Sequence, residues 1–192
     1  MDDVPDPTNR VLSLRGESMS FSVHAQGTTA QHDRYLGIDP GLNRTGYAIL
    51  ERHPQGPRLV EGGVLRSTQE NSLHHRVQEL AQGLREVIED CRPEIVALEQ
   101  VFTHAQNPRT ALMMAHARGG ILLTLADADL PVIDYSPTQV KKLLTGSGRA
   151  SKEQIQHAVK AELRLRAVLE PNDVADAAAM ALCLYHSVKF AI

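Results

Sequence analysis

Tryptophan is absent from this 192-residue chain, and cysteine occurs only twice. Cys91 and Cys183 stand alone, in no CxxC or Cys/His spacing, so they read as reduced core thiols and not as a zinc site or disulfide framework. No apolar run reaches the roughly 18 residues of a membrane span. The N-terminus opens Met1-Asp2-Asp3, without the basic and apolar regions of a signal peptide. A cytoplasmic location is expected by default. HExxH, a GxSxG nucleophile elbow and a phosphate-binding P-loop are all missing. The nine histidines form no metal pair, and adjacent His74 and His75 are expected to point apart on a helix. There is no internal repeat. Apolar residues at 42% and charged residues at 22% exclude a mostly disordered chain, a collagen and a coiled coil.

Positive charge is also in short supply, with a formal net of -3. The deficit lies in residues 1–33, which hold five acids against Arg10 and Arg15; the rest of the chain is neutral. Between Lys141 and Arg166 seven bases face only Glu153 and Glu162. A basic stretch therefore exists, offset elsewhere, and acids gathered around a metal would make formal charge understate the positive field.

Residues 1–33 carry no sustained period and are rich in Pro, Gly, Ser, Thr and Gln, as in a disordered tail. A single domain is expected over residues 34–192. Arg34–Asp39, Thr45–Glu51 and Leu59–Leu65 read as three strands with short connections, an antiparallel meander. From Leu73 the apolar period becomes helical and lasts until Pro93. Ile95–Leu98 is a short run suited to a strand buried on both faces. Asn107-Pro108 caps and opens a helix to about Ala126 that is apolar on nearly every side. One face satisfies a core, and the surplus suggests a second buried face, as a dimer contact would need. Gly119-Gly120 within it suggests close approach to another backbone. A strand over Pro131–Tyr135 follows. Ser136-Pro137 starts a short helix, Ser151-Lys152-Glu153-Gln154 is a capping box, and Pro171-Asn172 opens a final Ala-rich helix. The order implies an α/β domain with a mixed sheet.

Four acids stand out. Asp39 and Glu99 end strands, while Asp173 and Asp176 lie three apart on one face of the last helix. A solvated strand end would explain either of the first two, and the helix macrodipole would explain Asp173. Asp176 sits among Val174, Ala175, Ala177 and Ala178, where an unpaired charge costs roughly several kcal/mol. A metal would remove that penalty. Converging carboxylates suit Mg²⁺ or Mn²⁺. A pair of such ions can activate water against a phosphodiester, so the residue types fit a metal-dependent nuclease.

The motif wording narrows the substrate. Leu36-Gly37-Ile38-Asp39-Pro40-Gly41-Leu42-Asn43-Arg44-Thr45-Gly46-Tyr47 resembles the first motif of the RuvC family of Holliday-junction resolvases. Ala97-Leu98-Glu99-Gln100-Val101-Phe102 resembles the second, and Asp173-Val174-Ala175-Asp176-Ala177 the last acidic one. Ala117-Arg118-Gly119 and Gln139-Val140-Lys141 match landmarks between them. Order and spacing agree from Tyr35 to about His186; the tail has no counterpart. The resemblance implies an RNase H-like fold with a mixed five-stranded sheet flanked by helices. It also implies a homodimer and paired, metal-dependent incision of four-way junction DNA in recombination and repair, with two Mg²⁺ per site or Mn²⁺ instead. Catalytic and metal-ligand roles fall on Asp39, Glu99, Asp173 and Asp176, although some members have His at the position of Asp173. Phe102 would stack on a base near the junction centre, worth roughly 1–3 kcal/mol. Lys141 and Lys152 match lysines near the scissile phosphate, and Arg118 is either a phosphate contact or a helix-surface ion pair. A RuvA–RuvB branch-migration complex is the implied partner.

Rival readings are another nuclease of the superfamily (a ribonuclease H or a YqgF-like enzyme), a non-catalytic junction binder, and an ATP-binding protein of the actin/Hsp70/sugar-kinase class. The last needs nearly twice this length. A pure binder has no use for four acids that repel phosphate.

Overall fold

The computed structural model describes residues 32–100 and 108–189. Most of the expected tail, Phe102 and the proposed cap Asn107 lie outside the described residues. The elements are β1 (Arg34–Asp39), β2 (Arg44–His53), β3 (Gly56–Arg66), α1 (Leu73–Cys91), β4 (Ile95–Glu99), α2 (Pro108–Asp127), β5 (Val132–Tyr135), α3 (Pro137–Thr145), α4 (Lys152–Glu162) and α5 (Asn172–Lys189). They build one mixed five-stranded sheet in the order β3-β2-β1-β4-β5.

β1, β2 and β3 form the expected antiparallel meander. The second hairpin is tighter than the sequence suggests. β2 runs on to His53 and β3 restarts at Gly56, whose φ of 115° is a left-handed conformation suited to glycine. β4 and β5 continue the sheet in parallel. The chain enters β1 at the end of the sheet remote from Asp39, where Arg52 N–H donates to the Asp33 carbonyl at 2.7 Å.

Two layers of helix cover the sheet. Leu36, Ile38, Ile49, Val96 and Leu98 point to one face and bury Leu84, Val87, Ile121 and Leu125 of α1 and α2. Tyr35, Leu50 and Ala97 point to the other and meet α5. Cys91 and Cys183 are buried free thiols, as expected. The capping boxes at Ser136 with Gln139 and Ser151 with Gln154 are both formed.

Two glycines seat α5 on the sheet. A Cβ on Gly37 would stand 2.0 Å from the Ala177 carbonyl oxygen, and one on Gly46 would stand 2.1 Å from that of Asp173. Only bare backbone admits a helix this close. The small side chains of Ala177, Ala178 and Ala181 complete the contact. This packing carries the first turns of α5 to the end of β1.

α2 buries Ala111, Ala117, Ile121 and Leu125 against its own chain but leaves Leu112 and Leu123 59% and 63% exposed. The expected surplus is therefore a second, uncovered apolar face. Gly120 serves the first face, since its missing Cβ makes room for Val77 of α1, while nothing within 4 Å faces Gly119. Among the described residues no helix is long and apolar enough to cross a membrane.

Candidate active site

Parallel pairing sets the first two acids side by side. Ile38 is in register with Leu98, so the next residues, Asp39 and Glu99, leave adjacent strands at the same edge. α5, pinned by Gly37 and Gly46, adds Asp176 to them. Asp39, Glu99 and Asp176 line one cleft of about 260 Å³ with Lys141 and Lys152, backed by Val140, Ile155 and Met180. Asp173 opens instead onto an adjoining groove, which it shares with Asp39, Arg44 and Arg109. The four acids are thus brought together around Asp39, in two connected hollows.

Charge in the site is already partly neutralised. Burial pushes the Asp39 carboxyl up to about 9, helped by its hydrogen bond to Glu99 and by the charges of Glu99, Asp176 and Asp173. Burial also raises Glu99, as does the charge of Asp176; the proton shared with Asp39 and the charge of Lys152 pull the other way. The two carboxyls are placed to share a proton, and both are held above the ordinary carboxylate range. Lys152 Nζ donates to Asp176 Oδ2 at 2.8 Å, and that bond raises the lysine against the effect of burial. Arg44 Nη2 lies 2.6 Å from Asp173 Oδ2.

The isolated-charge argument for Asp176 needs correcting on this point. Its neighbours on α5 are apolar, but its carboxylate reaches the rim and finds Lys152, so a metal is not required to satisfy it. The donor set nevertheless fits a divalent cation: four hard carboxylates around one strand end are what Mg²⁺ or Mn²⁺ takes. Among the described residues, no group of three Asp, Glu, His or Cys side chains stands ready to hold an ion. A cation here would compete with the Asp39–Glu99 hydrogen bond and with the Lys152 and Arg44 ion pairs.

Arg118 lines neither hollow. Its Nε donates to the Glu99 carbonyl at 3.2 Å and its Nη2 to Asp134 Oδ1 at 2.5 Å. The guanidinium is engaged as an ion pair that braces the ends of β4 and β5. His74 and His75 do not point apart: their rings lie 4.1 Å from each other and both approach Ser72 Oγ at the start of α1.

Sequence reasoning missed Arg44 and Arg109. Arg109 carried a signal, because a cation in the first turn of α2 opposes the helix macrodipole and so calls for an anion. Arg44 carried none, since its partner Asp173 lies 129 positions away and meets it only through the packing of α5 on β2.

Comparison with known proteins converges on one family. The family profile for crossover junction endodeoxyribonuclease RuvC matches residues 35–184. A crossover junction endodeoxyribonuclease RuvC of Rhodopirellula baltica is 53% identical over 150 residues, covering 77% of this chain and 83% of that protein. The one from Halorhodospira halophila is 46% identical, covering 80% and 90%. Among solved structures, Thermus thermophilus RuvC in complex with a Holliday junction substrate superposes with a TM-score of 0.75 at 32% identity, covering 82% of this chain and 96% of that one.

Proposed function

The chain belongs to the RuvC family of crossover junction endodeoxyribonucleases, and on that premise we propose that it resolves four-way DNA junctions by paired, metal-dependent hydrolysis of symmetry-related phosphodiesters. Its fold is RNase H-like, as in the structures it resembles. The observation that carries the reading is the meeting of Asp39, Glu99 and Asp176 with Lys141 and Lys152 in one cleft.

Asp39, Glu99, Asp173 and Asp176 would hold the metal, as a pair of Mg²⁺ ions or Mn²⁺ in their place. Bound there, such ions would supply neutralisation of the charge building on the phosphate and a lower pKa for the attacking water. Lys141 and Lys152 attract the phosphate to the cleft and orient it. For Lys152 this means exchanging Asp176 for the phosphate. Asp39 and Glu99 accept fully only after their shared proton has left. Arg118 supports Glu99 by holding the end of β4. Phe102, three residues beyond Glu99, is our choice for the stacking contact at the junction centre.

One such centre makes one cut, and resolving a junction needs two. We assign the second to a twofold partner docked on the apolar face of α2 that bears Leu112 and Leu123, an isologous homodimer. We take the nuclease domain as residues 34–192; Asp33, expected in the tail, is tied to it, since its carbonyl accepts from the Arg52 N–H and its own N–H donates to Glu94 Oε2. A RuvA–RuvB complex as partner comes from the same family reading, and a cytoplasmic location is kept as the default expectation.

The test is cleavage of a synthetic four-way junction beside a matched linear duplex and an RNA–DNA hybrid, in Mg²⁺. We expect cuts in two opposed strands of the junction only. Preferential cutting of the hybrid would favour a ribonuclease H activity and overturn the assignment.

A further inference from the structure

Arg44 stands at the first position of β2 and its guanidinium pairs with Asp173, the acid set apart from the other three. The seat is fixed from below. Thr45 Oγ1 donates to the Gly41 carbonyl at 2.8 Å and accepts from the Gly41 amide at 3.2 Å, so the turn bearing Arg44 is closed on itself. The side chain has more freedom than its backbone. It is 40% exposed and borders the open groove of about 460 Å³ that also holds Asp39 and Arg109.

Three features suggest that Asp173 is not the final partner of this guanidinium. Its Nε is buried without any hydrogen-bond partner, so the ion pair leaves a donor unsatisfied. Arg44 is opposed across the ladder by Arg66, a like charge that raises the local demand for an anion. Arg109 lines the same groove from a helix turn that disfavours a cation. Two arginines around one groove beside a strand-end carboxylate match a path for a phosphate backbone.

From this arrangement we infer that Arg44 is an internal counter-cation that occupies Asp173 until a DNA phosphate in the adjoining groove draws it away, freeing that carboxylate for metal. The inference rests on the junction-nuclease reading of the site. It makes substrate and metal cooperative: a phosphate that takes Arg44 removes both a competing charge and a competing ligand partner from Asp173. Without DNA, Arg44 keeps Asp173 occupied and unavailable to an ion. By linkage, whatever the phosphate does for the metal, the metal does equally for the phosphate.

Arg44→Gln and Arg44→Lys are the variants, with melting curves in EDTA to show that each folds. The first reading is Mn²⁺ affinity of the protein alone, by isothermal titration calorimetry. Removing one positive charge roughly 5 Å from a divalent ion in a solvated site should tighten binding on the order of tenfold, and Arg44→Lys should stay close to wild type. The second is fluorescence anisotropy of a labelled four-way junction in EDTA across a salt series. Arg44→Gln should bind more weakly, with a salt slope shallower by about one. Unchanged Mn²⁺ affinity in Arg44→Gln overturns the competition, and an unchanged slope overturns the transfer to phosphate. Failure of wild type to cut the junction would be a different result, striking the proposed function and leaving the Mn²⁺ comparison standing.

Discussion

Asp39→Asn should make the metal-free protein more stable while destroying its activity. In the folded chain the Asp39 carboxyl is pushed to about 9 from an ordinary 3.8. At pH 7 the unfolded chain has released that proton and the folded chain keeps it. At pH 7 the penalty is set by the roughly three pH units between that ordinary value and the solution, and at 1.36 kcal/mol per unit it amounts to about 4 kcal/mol of destabilisation. Asparagine is isosteric, carries no charge and still offers an N–H to Glu99, so most of that penalty should vanish. We expect a gain of about 2–4 kcal/mol at pH 7, or roughly 5–15 °C in Tm for a chain of this size. The pH dependence is the sharper signature. Near pH 4 Asp39 is protonated in the folded chain and is becoming so in the unfolded one, and the variant gains little. Between pH 4 and 9 the wild-type fold loses stability progressively, because it binds the proton the unfolded chain gives up, so the gain must grow across that window and level off above it. Urea unfolding in EDTA at pH 5, 7 and 8.5 measures this directly. A gain that is the same at pH 5 and 8.5, or a variant less stable than wild type at pH 8.5, would refute the reasoning.

Glu99→Gln and Asp176→Asn should each reduce junction cleavage by at least a hundredfold with saturating Mg²⁺, while gel-shift affinity for the junction changes little, because positioning uses basic groups. Gly46→Ala should cost about 1–3 kcal/mol by overpacking and displace the Asp173 turn; denaturation and cleavage assays read the two effects, and a normal specific activity would contradict the close-approach argument. A charge on the uncovered face of α2, Leu112→Glu or Leu123→Glu, should give monomers in sedimentation and leave the fold intact, since both side chains already face solvent in the single chain. Deleting residues 1–31 should leave melting temperature and cleavage unchanged, as the chain enters the sheet at the end away from Asp39; a large fall in either would show that the segment supports the domain.

What the sequence disclosed was local. Ser151 and Gln154 are three positions apart, so that capping box is readable without a fold, while at Ser136 the sequence shows the helix start with Pro137 and the structure adds the box with Gln139. The meander follows from short turns, and the buried strand Ile95–Leu98 from its unbroken apolar run. The acids Asp39, Glu99, Asp173 and Asp176 were legible through their motifs. Their state was not: the shared proton, the Lys152–Asp176 pair and the Arg44–Asp173 pair depend on which strands adjoin and how closely α5 lies on the sheet. Arg118 illustrates the same limit. Phosphate contact and ion pair are indistinguishable in the string Ala117-Arg118-Gly119, and only the juxtaposition of β4 and β5 brings Asp134 and the Glu99 carbonyl within reach. The close approach expected at Gly120 is to α1, whose Val77 side chain and carbonyl both come within 4 Å of where a Cβ would stand, and the sequence does not reveal which helix approaches.

The central claim is a carboxylate centre that, duplicated by a twofold partner, makes paired cuts in a junction. Its most direct test is a supercoiled plasmid that extrudes a cruciform, treated with wild type and with Glu99→Gln in Mg²⁺ and sampled before the enzyme can rebind. The account predicts that wild type converts the plasmid to linear product with little nicked intermediate and that Glu99→Gln leaves it supercoiled. Nicked circles accumulating as the main wild-type product, or linear product from Glu99→Gln, would contradict it.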